Sequence, residues 1–169
     1  MIRITTRGRY ALRAMVDLAL HSEDGPVARD EITERQDISA DYVAQLFQKL
    51  QEAGLVEGVK GPGGGYRLAL DASEIRARKV IEAVEGPVAL VHCVEPGGAS
   101  SCDRVGHCVT HLLWNRLSAA MREFLDATTL EELAAETRQL CSSFPPPGGR
   151  AGPSDPSVRF SSGTTASRH

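Results

Sequence analysis

The chain has 169 residues, 41% of them hydrophobic, and a formal net charge of −3. This allows one domain, or a small domain with an appendage, and excludes a chain too polar to form a core. The mild negative charge exerts no bulk pull on nucleic acid, so any DNA contact must come from a local patch.

Thr5 to His21 is expected to be a helix. Tyr10, Ala11, Ala14, Met15, Leu18 and Ala19 recur at helical spacing and form one inner stripe, while Arg7, Arg9 and Arg13 fall on other faces. His21 closes that helix as a cation suited to a C-terminus. Gly25-Pro26 breaks the chain. Val27 to Arg35 is expected as a second, short helix ending near Asp37. Ser39 caps a third, Ala40 to Ala53, with Val43, Leu46, Phe47 and Leu50 inward. Two helices joined by a short polar turn form a helix-turn-helix pattern. Strand residues around Val56 and 57–60, the turn GPGGG, and strand residues 66–70 form a β-hairpin, the wing of a winged helix. Ala77 to Glu85 is a fourth helix, and 86–108 is a loop holding three cysteines. Thr110 to Asp126 is strongly periodic through Leu113, Leu117, Met121 and Phe124, with Trp114 and Leu125 alongside. Leu130 to Arg138 is a short last helix. Pro, Gly and Ser dominate from Ser142, so residues 139–169 are expected to be a disordered tail.

The expected class is mainly α: a winged helix-turn-helix domain (1–85), a ligand-binding loop (86–109) and a long helix with its short successor (110–138). No run of about 18 apolar residues marks a transmembrane helix. MIRITTRGRYAL lacks the apolar stretch of a signal peptide, so a cytoplasmic protein with reduced thiols and no membrane partner is expected.

The third helix is expected to enter a DNA major groove by its N-terminal part. Ser39, Asp41, Tyr42, Ala44, Gln45, Gln48 and Lys49 point outward. Gln45 suits an adenine edge and Tyr42 a phosphate. Lys60 and Arg67 flank the wing, whose Gly61, Gly63 and Gly64 permit close backbone approach, and a cation at its tip suits a narrow minor groove. The turn lacks the Gly-Lys-Ser/Thr ending of a phosphate-binding P-loop.

Cys93, Cys102, Cys108 and His111 form the second constellation. Eight residues separate the first two cysteines and five the next pair, with Gly97, Gly98 and Gly106 supplying bends. Thiolates converging from a flexible loop suit an iron–sulfur cluster. Cys108 opens the long helix and His111 follows in its first turn, where positive potential favours an anion. A Cys3His zinc site uses the same atoms, and plain thiols remain a third reading. His92 and His107 read as solvated, and Cys141 is left out of the set. No nucleophile–base pair or carboxylate dyad stands out, so no catalytic residue is assigned and no enzyme is expected.

TTRGRYALRAMVDLAL, ISADYVAQLFQKLQEAGLV, VKGPGGGYRL and CVTHLLWNRLS occur in an order that resembles the iron–sulfur cluster regulator (IscR) family of small dimeric winged-helix repressors. The resemblance covers residues 1 to about 138. It implies a homodimer on a double-stranded DNA operator, controlling iron–sulfur assembly genes. It implies a 2Fe-2S cluster on Cys93, Cys102, Cys108 and His111, supplied by iron–sulfur assembly proteins as donors. It implies that 110–126 is the dimerisation helix, through Leu113, Trp114, Leu117, Met121 and Phe124. The chain departs from the family pattern in three places. The Cys93–Cys102 gap is a few residues longer, Ala44 stands where the family carries Glu, and Lys60 stands where Arg is common. Gly8 stands where nitric-oxide-sensing relatives with 4Fe-4S clusters place Asp. A redox or nitric oxide sensor of the same family, and a zinc-binding interaction module, are the alternatives.

Overall fold

The structure is a computed structural model that describes residues 5–22 and 25–143. Its order is α1 (Thr6–His21), α2 (Arg29–Gln36), α3 (Ala40–Glu52), β1 (Val56–Val59), β2 (Gly65–Leu68), α4 (Ala77–Glu85), three short 3-10 turns, α5 (Val109–Ala127) and α6 (Leu130–Ser143).

Helix α1 begins where the Thr5 hydroxyl accepts the Arg7 N–H, and Glu85 takes a second free donor, the Gly8 N–H, at 2.7 Å. Its stripe of Ala11, Ala14, Met15 and Leu18 is fully buried, with Tyr10 and Ala19 packed at the edge. α2 starts later than expected. Val27 is extended and exchanges two 2.8 Å backbone hydrogen bonds with Tyr66. The β-branched Val27 thus joins the free edge of the wing, leaving the helix to start at Arg29. The turn after α2 passes through Asp37 in the left-handed region (φ 53°), and the Ser39 hydroxyl caps α3 by accepting the Tyr42 N–H at 3.4 Å.

β1 and β2 pair antiparallel, Val56 with Leu68 through Val59 with Gly65. The outcome is a winged helix-turn-helix, mainly α with one hairpin. Its core joins Met15, Leu18, Ile32, Val43, Leu46, Phe47, Leu50, Val80 and Val84. Phe47 stacks on Tyr66 with ring centres 4.3 Å apart, which fastens the wing to α3.

One buried charge joins α1 to α2. Asp17, 3% exposed, accepts from Arg35 Nε (2.9 Å), Arg35 Nη2 (2.8 Å) and Gln36 Nε2 (2.9 Å). That carboxylate raises the Arg35 guanidinium above its ordinary value.

α6 returns to pack on α1. A capping box begins it: the Glu132 N–H donates to the Thr129 hydroxyl at 3.1 Å and the Thr129 N–H to the Glu132 carboxylate at 2.8 Å. It runs to Ser143, five residues past the expected end at Arg138, so the expected tail boundary at 139 falls inside a helix. Leu130 and Ala134 are buried in its first half, and the helix carries good helix formers through Leu140 with no Gly or Pro until 145. The rest of the expected tail, from 144, lies outside the described residues.

Candidate nucleic-acid interface and metal centre

The helix-turn-helix places its outward side chains in unequal states. Gln45 is exposed and its amide has no intramolecular partner among the described residues. Gln48 instead donates to Glu52 one turn on, at 3.1 Å. Lys49 turns back to the Val84 carbonyl of α4 at 3.5 Å. The Ser39 hydroxyl is engaged as the α3 cap. Tyr42 is half-buried, edge-on to Tyr10 at 6.0 Å, and its hydroxyl has no intramolecular hydrogen-bond partner among the described residues. On the wing, Gly61 and Gly63 take φ of 100° and 72°, values open to glycine at little cost. Gly64 sits inside this turn, donating to the Gly61 carbonyl at 2.9 Å. Lys60 is exposed at the tip. Arg67 is exposed but paired with Glu57 at 2.7 Å. Glu57 carries no signal in the linear sequence; only the register that sets it across from Arg67 reveals it.

The cysteine loop is built from three 3-10 turns, His92–Val94, Gly98–Ser101 and Val105–His107. A side chain at Gly98 would collide with the His92 carbonyl, so the first two turns close on each other there. Cys93, Cys102 and Cys108 are half-buried free thiols. Cys93 Sγ lies 3.5 Å from His111 Nδ1. Cys108 is the N-cap residue of α5, and its carbonyl accepts the His111 N–H at 3.1 Å. The Thr110 hydroxyl, 3.0 Å from Cys108 Sγ, and the His111 N–H push the Cys108 thiol below its ordinary value.

Cys93 and His111 therefore meet, Cys108 lies three residues before His111 at the start of α5, and among the described residues no hydrogen bond joins Cys102 to the other three. Among the described residues no three His, Cys, Asp or Glu side chains are gathered closely enough to hold a metal ion. The donor chemistry nonetheless fits an anionic cluster. One imidazole already touches one thiol, and another thiol is biased toward thiolate where α5 begins without a side-chain cap. His92 pairs with Glu95 at 2.9 Å, and Cys141 is exposed on α6.

The loop is fastened to its neighbours by polar bonds. The Leu90 N–H donates to Ser118, the one buried residue of α5, at 3.2 Å. Arg122 donates to the Val88 carbonyl at 3.1 Å. Arg78 of α4 donates to Glu82 at 2.9 Å, and its Nε lies 2.7 Å from Asp126 of α5. The Nε–H is not aligned on an acceptor, so that last contact is one of charge more than a directed hydrogen bond. α5 otherwise exposes an apolar face: Leu113 at 55%, Leu117 at 40% and Phe124 at 70%. Trp114 and Met121 are half-buried beside it. Met121 helps line an apolar cleft with Leu117, Ala120, Phe124 and Leu125. An apolar face of this kind marks an interaction surface.

Residues 4–136 match the profile of the Rrf2 family, described as iron-dependent transcriptional regulators. The chain is 49% identical over 132 residues to the HTH-type transcriptional regulator IscR of Photobacterium profundum, covering 78% of this chain and 75% of that protein. It is 46% identical over 139 residues to the protein of the same name from Vibrio cholerae, covering 82% and 79%. Among solved structures it is similar to T. potens IscR, with a TM-score of 0.67 at 32% identity over 82% of this chain and 90% of that one. It is also similar to CymR, the global cysteine regulator of B. subtilis, with a TM-score of 0.67 at 35% identity over 80% and 98%.

Proposed function

Because the chain belongs to the Rrf2 family, whose members are DNA-binding transcriptional regulators and not enzymes, we propose that it is a homodimeric repressor of iron–sulfur assembly genes governed by a 2Fe-2S cluster. Cys93, Cys102, Cys108 and His111 are its ligands. The observation that carries this is the contact of Cys93 with His111 where the loop meets α5. When bound, such a group supplies a labile, redox-active anionic centre, for which iron–sulfur assembly proteins are the donors.

The chain's own residues do the rest. Leu113, Trp114, Leu117, Met121 and Phe124 pack α5 on its symmetry mate. Gln45, exposed and with no side-chain partner among the described residues, reads an adenine edge in the major groove. Tyr42 holds a phosphate, and Lys60 enters the minor groove. Ser39, Gln48, Lys49 and the wing glycines set the frame around these contacts. The loop is tied to α5 through Ser118 and Arg122, and α5 to the DNA-binding domain through Arg78. Ordering of the loop is thereby coupled to the spacing of the two α3 helices, which is the coupling that regulation requires. No helix among the described residues is long and apolar enough to cross a membrane.

Anaerobic purification with iron and sulfide counts tests the ligand set. About two irons and two sulfides per chain are expected, with visible absorption that Cys102→Ala abolishes. Zinc without sulfide, or an undiminished Cys102→Ala spectrum, would overturn it.

A further inference from the structure

The wing contains an internal neutralisation. Glu57 and Arg67 stand directly opposite in the hairpin register. Arg67 Nη2 lies 2.7 Å and Nε 2.9 Å from the same Glu57 oxygen. Tyr66 and Leu68, on either side of Arg67, pack against the core. The pair therefore occupies the outer face of the wing, with the two side chains 50% and 59% exposed. Lys49 is turned to the Val84 carbonyl. Of the three cations assigned to the DNA surface, Lys60 alone has no intramolecular partner among the described residues.

We propose that Glu57 is a specificity-determining residue that holds Arg67 off the DNA backbone and so depresses binding to DNA of arbitrary sequence. This rests on the reading of the head as a winged helix that docks its wing on DNA. Binding without sequence preference comes from cations that neutralise phosphates and release counterions, and its salt dependence counts them. A paired Arg67 contributes no net charge to that count. The Glu57 carboxylate, carried to the DNA on the same strand pair, adds like-charge repulsion. Exposed ion pairs of this kind are weak, so Glu57 does not abolish phosphate contact. It raises the share of affinity that must come from base contacts by α3, which enlarges the ratio of specific to non-specific binding.

The test measures binding of the purified full chain to a random-sequence duplex across a salt series, for wild type, Glu57→Gln, Arg67→Ala and the double variant. Glu136→Gln, at an exposed position of α6, serves as a control with the same change in net charge. Glu57→Gln should tighten binding roughly three- to tenfold at low salt and steepen the log–log salt slope by about one to two for a dimer. The double variant should lose that gain, and Glu136→Gln should show neither effect. The same series on a duplex selected by the wild-type chain from a random pool should show a smaller gain. An unchanged or weaker Glu57→Gln, a gain matched by Glu136→Gln, or a gain that survives loss of Arg67 would overturn the proposal. A wild-type chain that binds the random duplex yet selects no duplex from the pool would overturn the operator-binding reading instead, while the random-duplex comparison still decides whether Glu57 neutralises Arg67.

Discussion

Replacing Asp17 with Ala should destabilise the DNA-binding domain by about 2 kcal/mol, and replacing Arg35 with Ala should cost about 3 kcal/mol. Removing one partner of a buried ion pair costs roughly 3–5 kcal/mol, because the other charge is left without compensation. Here the two partners differ in access to water: Arg35 is 31% exposed and Asp17 is 3% exposed. Without Asp17, the Arg35 guanidinium can turn into solvent and recover hydration, which lowers the cost. Without Arg35, the carboxylate stays buried with Gln36 as its main donor, so the cost stays near the lower end of the range. Asp17→Asn keeps the volume and one acceptor and should fall between wild type and Asp17→Ala. The assay is urea denaturation followed by far-UV circular dichroism at fixed protein concentration, with an unchanged denaturant slope. An Asp17→Ala value within about 0.5 kcal/mol of wild type, the ordinary range for surface substitutions, would refute the reasoning. So would an Arg35→Ala variant more stable than Asp17→Ala.

Phe124→Asp should yield a folded monomer by sedimentation with an unaltered helical spectrum, since Phe124 is 70% exposed and lies outside the buried core; a dimer of unchanged affinity would remove α5 as the interface. Gln45→Ala should cost about 1–3 kcal/mol at one adenine-containing position of a selected duplex, read as a relaxed preference there. Gln48→Ala should cost less, because Glu52 already holds that amide. The backbone and hydroxyl of Thr129 hold the Glu132 carboxyl below its ordinary value of 4.5. A depressed folded value means stability that is present above the unfolded value and lost as pH falls through the folded one. Glu132→Gln should therefore flatten the acid side of the stability profile, and a profile identical to wild type below about pH 5 would count against the capping box.

The elements whose signals are local were legible in the sequence. α3 has its cap at Ser39 and its apolar residues at helical spacing, and both act within one stretch of chain. The hairpin is announced by GPGGG, whose glycines meet the positive φ that the turn needs. What could not be read was set by partners distant along the chain. Val27 is an N-terminal helix residue by pattern, yet Tyr66 captures it in an isolated antiparallel bridge. Asp17 reads as a polar residue on the flank of a stripe and is buried only because α2 brings Arg35 and Gln36 to it. Arg67 reads as a free cation until the register places Glu57 across from it. The cysteine loop shows the same division. Its residue types and order point to a metal or iron–sulfur site, while its three 3-10 turns bring Cys93 to His111 and, among the described residues, form no hydrogen bond from Cys102 to the other three residues of the set. Loop closure there depends on backbone contacts such as Gly98 against His92, which no spacing rule encodes.

The most direct test of the central claim is one binding comparison on a duplex selected by the anaerobically purified chain. Iron, sulfide and DNA affinity are measured on the same sample before and after the metal is removed by chelation. The expected result is about two irons and two sulfides per chain, with an affinity or half-site preference that shifts at least fivefold when they are lost, the lower end of ordinary coupling between sites. Equal affinity and equal preference in both states, at full iron and sulfide content, would contradict it.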